Sequence, residues 1–245
     1  MGRRSRSRPI DADDGAPVGR RVFLGLVGLG AAGVVVGAKV QDWVGNLLAP
    51  LEAKDFTGLS ALLPFGRFRF YSITGDFPHR SREQYQLHVK GLVERPFTIS
   101  YADLVALPKT TVTRDFQCVT GWRVPDQRWT GVRLSDLLDR AGVKQEATAL
   151  RFVSFAGAYS ESLTLAQARR ADVLVAYELG GSPLSTNHGG PARLYVAPMY
   201  GYKSCKWLET IEVTARVEPG YWENYGYDVD GWVGRSNGRD DAPTS

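Results

Sequence analysis

The stretch that decides the fold is HGGPARLYVAPMYGYKSCKWL, residues 188–208. The apolar run from Leu194 to Val196 predicts a short buried strand, and Gly- and Pro-rich turns flank it on both sides. Such turns expose backbone N–H groups, which attract anions. Arg193, Lys203 and Lys206 add full positive charges, and an arginine can hold two phosphate oxygens at once. The pattern predicts either an anion site or a loop whose cations are merely solvated.

A second informative stretch, FQCVTGW at residues 116–122, contains a lone thiol among aromatic residues. A free cysteine is most often a small buried hydrophobe without a chemical role. Because Cys118 and Cys205 are the only cysteines of the chain, a disulfide between them is a second interpretation. Cys205 lies between Ser204 and Lys206, however, where alternation along an extended segment turns its side chain away from theirs.

Together the two stretches resemble the sulfite oxidase-like, molybdopterin-binding oxidoreductase family. The resemblance extends from about Phe68 to about Tyr227. It includes an opening strand and turn at 87–96, a capped short helix at 100–104, and a tight turn at 129–131 that leads into an amphipathic helix capped by Ser135. The resemblance implies an α+β fold with mixed β-sheets and short helices.

The resemblance also implies a set of site residues. In this family a single cysteine is the only protein ligand to molybdenum, and Cys118 matches it; a soft thiolate suits a metal that changes oxidation state. The resemblance implies contacts to the pterin and its phosphate from Thr74, His188, Arg193, Lys203, Ser204, Cys205 and Lys206, with Cys205 acting through its backbone. Molybdenum and molybdopterin are the cofactors that follow.

The resemblance predicts two-electron redox chemistry or oxygen-atom transfer, and the substrate is less sharply indicated. Sulfite-oxidising members carry an Asn-Arg-Arg-like run after the cysteine, which this chain replaces by Val119 to Arg123. Sulfite is therefore a doubtful substrate, although Arg123 and Arg128 could still reach an anion or else be solvated. The periplasmic catalytic subunit that reduces methionine sulfoxide in proteins is the better analogue. A sulfur or nitrogen oxide, small or protein-bound, is expected.

Two aromatic residues, Trp122 and Tyr159, are expected either to line the substrate mouth or simply to pack. A different class of function also remains open: a catalytically inactive cofactor-binding or interaction module of the cell envelope. Substitution of Cys118 separates the two, since it would abolish redox activity in the first case and leave partner binding intact in the second.

The N-terminal residues 1–38 resemble a twin-arginine export signal. Arg20 and Arg21 precede a seventeen-residue apolar and glycine-rich run from Val22 to Ala38. A membrane anchor is the alternative, since that length is at the lower limit for crossing a bilayer. In both cases the catalytic part is expected outside the cytoplasm, in the periplasm or an equivalent compartment, because the basic end stays inside.

Composition supports a division into four parts: the leader (1–38), a linker (39–64), one oxidoreductase domain (65–228) and a C-terminal tail (229–245). The leader has six basic and three acidic residues, so the remainder is nearly neutral although the whole chain carries +4. Without a basic stripe, nucleic acid is not an expected partner. Three dispersed histidines are too few for a protein-only metal site.

The expected partners are the export machinery and a separate electron-transfer protein. The chain lacks the Cys-x-x-Cys-His pattern of haem attachment, so electrons are expected to reach another protein, for which a membrane haem protein is one candidate. The short C-terminal part leaves no room for the dimerisation domain of animal and plant sulfite oxidases, so a monomer is expected.

Overall fold

The chain folds into two β-sheets joined by short helices. The computed structural model describes residues 68–73, 75, 77–155, 157 and 159–241. Within those residues the strands are β1 Gln86–Gly91, β2 Phe97–Ser100, β3 Thr110–Gln117, β4 Arg123–Arg133, β5 Ala149–Ser154, β6 Ser160–Thr164, β7 Val173–Leu179, β8 Ser182–Pro183, β9 Arg193–Val196 and β10 Leu208–Thr214. The α-helices are α1 Tyr101–Ala106, α2 Leu134–Ala141 and α3 Leu165–Ala168.

The two sheets differ in strand direction. The first has the order β2-β1-β10-β5-β6, with β1 parallel to β10 and its other pairs antiparallel. The second has the order β3-β4-β7-β8, with β9 also paired to β7, and these pairs are antiparallel. The predicted α+β fold with mixed sheets and short helices is confirmed.

The helices form where the sequence provides caps and apolar periodicity. The side chain of Ser100 accepts a hydrogen bond from the N–H of Asp103, which begins α1 as predicted. Thr164 and Gln167 form a reciprocal capping box at α3. Helix α2 buries Leu134, Leu137, Leu138 and Ala141 on one face. Each of the three leucines contributes about 1.5–3 kcal/mol when fully buried, so packing holds this short helix in place.

Two local predictions were wrong. Ser135 does not cap α2, because the helix already begins at Leu134. The Ser135 hydroxyl instead donates to the carboxylate of Asp136. Residues 129–131 are not a turn but part of β4. Gly131 is required there by close packing between strands, since a Cβ would lie 2.2 Å from the carbonyl oxygen of Val175 in β7. A glycine that permits close approach looks in sequence like a glycine that permits a turn.

The C-terminal part packs against the domain up to the last described residue. Residues Glu223–Tyr225 form a 3₁₀ turn. Further on, the N–H of Val233 donates to the carbonyl of Pro198, and the Tyr200 hydroxyl donates to Asp241. The segment predicted as a tail after residue 228 therefore lies on the domain as far as Asp241.

Some predictions fall outside the described residues. The export leader, the linker to residue 64 and Thr74 are among them. In the described part of the chain, no helix combines the length and apolar character needed to cross a membrane.

Candidate functional site

One cavity brings the two decisive stretches of sequence together. Cys118 and Trp122 contribute from the first stretch, and His188, Arg193, Ser204, Lys206 and Trp207 from the second. The remaining walls are largely aromatic and come from the N-terminal described segment, the loop before β6 and the C-terminal segment. They include Phe68, Phe70, Tyr71, Tyr159, Trp222 and Tyr227, and Tyr202 adds a further ring from the second stretch.

Cys118 lies in a tight turn at the end of β3. Its N–H donates to the carbonyl of Trp122, and its own carbonyl accepts from the N–H of Gly121, which has a φ of +99°. The sulfur is 3.2 Å from the Thr120 hydroxyl. Burial raises the pKa of the thiol, and hydrogen bonds from Thr120 together with nearby arginine charge partly oppose that rise. The turn thus presents one partly shielded thiol to the cavity.

Cys205 behaves differently from Cys118. It is fully buried, does not line the cavity and is not joined to Cys118, since both cysteines are free. The disulfide interpretation is therefore wrong. The carbonyl of Cys205 accepts from the N–H of Leu194, and its thiol donates to the carbonyl of Lys206 at 3.5 Å. Because its carbonyl and thiol are used within the fold, Cys205 fixes the loop after β9.

Arg193, at the start of β9, is a buried cation that organises the cavity wall. Its guanidinium donates to the carbonyls of His188 and Ser204, each at 2.8 Å. It also lies over the rings of Phe116 and Trp129. Burial lowers the pKa of Arg193 to about 10, so the group remains charged at neutral pH. It therefore joins two loops that line the cavity and adds a positive charge.

Lys206 is the second cation of the cavity, and it is partly buried. Its ammonium donates to the carbonyl of Tyr71 at 2.7 Å and lies 4.3 Å from the centroid of the Trp207 ring. Burial, followed by the charge of Arg193, lowers the pKa of Lys206 to about 7. The packing of this side chain requires Gly189, because a Cβ there would lie 2.7 Å from Lys206 carbon atoms.

Ser204 and His188 complete the predicted group. The Ser204 hydroxyl accepts from the N–H of Val196, which ties the loop after the 3₁₀ turn Gly201–Lys203 to β9. The His188 ring makes edge contacts with Phe68 and Phe70, at centroid distances of 4.6 and 4.8 Å. The structure thus places Cys118, His188, Arg193, Ser204 and Lys206 around one space, as the sequence predicts.

Lys203 does not belong to this space. Its side chain is fully buried and pairs with Glu161 and Glu223. The 3₁₀ turn Gly201–Lys203 explains the difference, because Tyr202 and Ser204 line the cavity while Lys203 lies among these two carboxylates. The expectation that Lys203 contacts the cofactor through its charge is not supported.

The sequence gives little indication of several residues that shape the cavity. Tyr202, Trp222 and Tyr227 line it, and only the density of aromatic residues in 221–227 indicates the last two. Arg239 supports the Cys118 turn by donating to the carbonyl of Val119. Arg123, by contrast, pairs with Asp115 at 3.4 Å and does not line the cavity.

The chemistry of these residues fits an anionic, sulfur-coordinated cofactor. Neither Arg193 nor Lys206 forms an ion pair with a carboxylate of the described residues. Arg193, which is buried, and Lys206, which is partly buried, face the cavity without a carboxylate partner among the described residues and provide the charge that a phosphate requires. A thiol on the same cavity provides a soft metal ligand.

Comparison with known proteins agrees with this chemistry. Residues 74–222 match the family model described as "oxidoreductase molybdopterin binding domain". The chain is 38% identical over 159 residues to the uncharacterized oxidoreductase YuiH of Bacillus subtilis, covering 64% of this chain and 80% of that protein. It is 31% identical over 179 residues to a sulfite oxidase of Arabidopsis thaliana, covering 59% of this chain and 46% of that protein. A crystal structure of the sulfane dehydrogenase SoxCD from Paracoccus pantotrophus matches with a TM-score of 0.54 and 27% identity, over 58% of this chain and 41% of that one.

The chain belongs to the molybdopterin-binding oxidoreductase family and has the sulfite oxidase-like fold. It is a molybdenum cofactor-dependent oxidoreductase. It spans less than half the length of the Arabidopsis sulfite oxidase and of the SoxCD chain.

Cofactor retention is expected to depend on the charge of Lys206. As the pH rises from 7 to 9, Lys206 loses its proton and its attraction for a phosphate, so pterin release should accelerate by up to about tenfold per pH unit. Pterin fluorescence in the filtrate of loaded protein measures this rate. Lys206→Arg should make the rate independent of pH, and Lys109→Arg, at an exposed position, should match the wild type. Parallel curves for the wild type and Lys206→Arg would contradict this role.

Proposed function

We propose that this protein holds its cofactor with Cys118 as the protein ligand to molybdenum and reduces an organic sulfur or nitrogen oxide, or transfers an oxygen atom in a related two-electron reaction. One observation carries the proposal: the Cys118 thiol faces the same cavity as the cations Arg193 and Lys206. A metal ligand and a phosphate site therefore lie within the reach of one cofactor.

The residues divide the work between binding and positioning. When bound, the cofactor supplies a molybdenum centre that can change its oxidation state by two electrons. Lys206 and His188 would contact the pterin and its phosphate, and Arg193 would add charge while it fixes the loops of His188 and Ser204. Cys118 would give up its proton on ligation. Thr74 remains a predicted contact outside the described residues.

The cavity wall supports a substrate with apolar groups. Trp122, Tyr159, Trp222 and Tyr227 present aromatic surface to the cavity. Rings of this kind bind methyl and methylene groups well. Their faces offer a dianion no hydrogen bonds to replace the water that it loses on binding. Arg69 also lines the cavity, and its positive charge favours an anion. Sulfite is therefore the competing substrate. The aromatic wall favours a neutral oxide, free or on a protein side chain.

Location and partners form part of the same proposal. The paired arginines and apolar run of the leader support export in the folded state, with the domain facing the periplasm or an equivalent compartment. The absence of a haem-attachment motif from the sequence supports a separate electron-transfer protein, such as a membrane haem protein. We expect the domain to act as a monomer and not to bind nucleic acid.

The proposal is tested on full-length protein from a host that makes molybdenum cofactor. We expect molybdenum and pterin at about one per chain, reduction of dialkyl sulfoxides or N-oxides with a reduced artificial electron donor, and slower oxidation of sulfite with an artificial acceptor. Faster turnover of sulfite would overturn the substrate proposal. Protein without molybdenum and pterin would instead support the alternative of an inactive interaction module.

A further inference from the structure

Three charged side chains meet in the interior beside the cavity. Lys203 follows β9, Glu161 belongs to β6, and Glu223 begins the 3₁₀ turn of the C-terminal segment. The ammonium of Lys203 contacts Oε1 of Glu161 and is 2.7 Å from Oε1 of Glu223. The side chains of Lys203 and Glu161 are 0% exposed and that of Glu223 is 1% exposed. We call Glu161, Lys203 and Glu223 the buried triad.

The charges of the buried triad do not balance if both carboxyl groups are ionised. Two carboxylates and one ammonium would leave a net negative charge in the interior, which is very costly without a partner. The second oxygen of each carboxyl group, Oε2 of Glu161 and of Glu223, is also buried without a hydrogen-bond partner among the described residues. A buried polar atom without a partner destabilises the folded state.

A single proton shared by the two carboxyl groups would remove both the net negative charge and the unpartnered oxygen atoms. The Glu161 and Glu223 side chains lie within hydrogen-bonding reach of each other, and two carboxyl oxygens can hydrogen-bond only when one carries a proton. With that proton the triad holds one acid, one carboxylate and one ammonium, and its charge is zero. Burial, together with the hydrogen bond and charge of Glu223, raises the pKa of Glu161 well above its usual range, although Lys203 opposes the rise.

The buried triad holds a segment that lines the cavity. Glu223 follows Trp222, and Tyr227 comes shortly after; both aromatic residues are part of the cavity wall. The N–H of Tyr221 donates to the carbonyl of Ser160 in β6 at 3.0 Å. Gly220 permits this close approach, because a Cβ there would lie 2.6 Å from the same carbonyl oxygen. Among the described residues, this backbone hydrogen bond and the triad join the segment to β6, and Trp222 and Tyr227 also pack against the aromatic cluster of Tyr202.

We propose that Glu161 and Glu223 share one buried proton, and that the neutral triad they form with Lys203 positions residues 221–227 as the aromatic wall of the cavity. Glu161 and Glu223 are positioning residues in this assignment. It goes beyond the proposed function, since it concerns the protein without reference to its substrate or its metal ligand.

Other titratable groups near the triad do not neutralise its excess negative charge. They are the phenols of Tyr159 and Tyr202 and the thiol of Cys205, whose pKa values burial raises. All three are therefore neutral at physiological pH. The Tyr159 hydroxyl donates to the carbonyl of Tyr202. Among the described residues, Lys203 is the cation that forms an ion pair with Glu161.

The first test is the pH dependence of stability. A carboxyl whose pKa is raised by folding binds more protons in the native state than in the unfolded state, so its contribution to stability decreases as the pH rises above about 4.5. Glu161→Gln imitates the neutral acid and removes this proton. We expect the Tm of the wild type to fall relative to Glu161→Gln by roughly 3–5 °C per pH unit over pH 5–8, up to the pKa of the shared proton.

Matched variants make this result specific. Glu223→Gln should give the same Tm difference from the wild type at each pH, because either amide leaves one carboxylate for Lys203. This variant replaces Glu161→Gln in the test if Glu161→Gln does not fold. Glu146→Gln, at an exposed position, should follow the wild type. A constant Tm difference between the wild type and both single variants would overturn the shared proton.

The second test is hydrogen exchange of the full-length protein, measured by mass spectrometry. Glu161→Gln should preserve the protection of residues 221–227. In Glu161→Gln/Glu223→Gln, Lys203 has no counter-charge, and we expect exchange in this segment to accelerate by about tenfold or more while β7 stays protected. Equal protection of 221–227 in the single and double variants would overturn the positioning role. Neither readout needs cofactor or substrate, so failure here is distinct from failure of the proposed function.

Discussion

Cys118→Ser is expected to eliminate redox turnover and most bound molybdenum, while the protein remains folded. Even partners that only orient a metal ligand change affinity or activity by about 10–100-fold, so loss of the ligand itself should cost more than about 100-fold. Serine is smaller than cysteine and can keep the hydrogen bond to Thr120, so the turn before β4 should survive. Metal analysis, pterin fluorescence and turnover, measured on one preparation, provide the three readouts.

The other cysteine of the chain provides the matched control. Cys205 is buried and does not line the cavity, and a serine there can still donate to the carbonyl of Lys206. Cys205→Ser should therefore retain molybdenum and activity, with at most a modest loss of stability. The opposite outcome, with metal lost in Cys205→Ser and retained in Cys118→Ser, would sink the assignment of Cys118 as the ligand.

Lys203→Met is expected to destabilise the fold rather than to affect the cofactor directly. Removal of one partner from a buried ion pair costs about 3–5 kcal/mol, because the remaining charge stays in the interior. For a domain of this size that corresponds to a fall in Tm of roughly 10 °C. Urea unfolding at pH 7 measures the change, and Lys109→Met, at an exposed lysine, should leave stability within about 0.5 kcal/mol of the wild type.

A triple variant separates charge from packing at this position. Glu161→Gln/Lys203→Met/Glu223→Gln removes every charge of the triad and should recover much of the stability lost in Lys203→Met, since neutral replacements of similar size leave no unpaired ion. A stable Lys203→Met protein that had lost only its pterin would show that Lys203 binds the cofactor after all.

Local signals made part of the fold predictable. Strand β9, Arg193–Val196, contains the predicted run from Leu194 to Val196 and begins one residue earlier, because it is a short apolar run between turns. Helix α2 follows from apolar residues at helical spacing, and α1 from the Ser100 cap. The interpretation failed at Gly131, whose neighbour Val175 is distant in sequence. A single sequence does not show which distant backbone segment will pack against a glycine.

In the candidate site, too, local motifs predicted some residues correctly and contacts between distant residues could not be predicted. Cys118, His188, Arg193, Ser204 and Lys206 were identifiable because they stand in two short motifs with a characteristic order, and the structure places them around one cavity. Lys203 stands in the same motif, yet its carboxylate partners lie 42 and 20 residues away in the chain. Proximity within a motif cannot reveal such a pairing.

By itself, the sequence determined the family, the α+β class and five residues of the cavity, Cys118, His188, Arg193, Ser204 and Lys206, because these depend on residue types at short and regular spacing. Only the tertiary structure decided that Cys118 faces the cavity, that Cys205 and Lys203 lie in the interior, and that residues 221–227 complete the wall. Burial and charge balance are properties of residues brought together from distant parts of the chain. They appear only when the strands have packed.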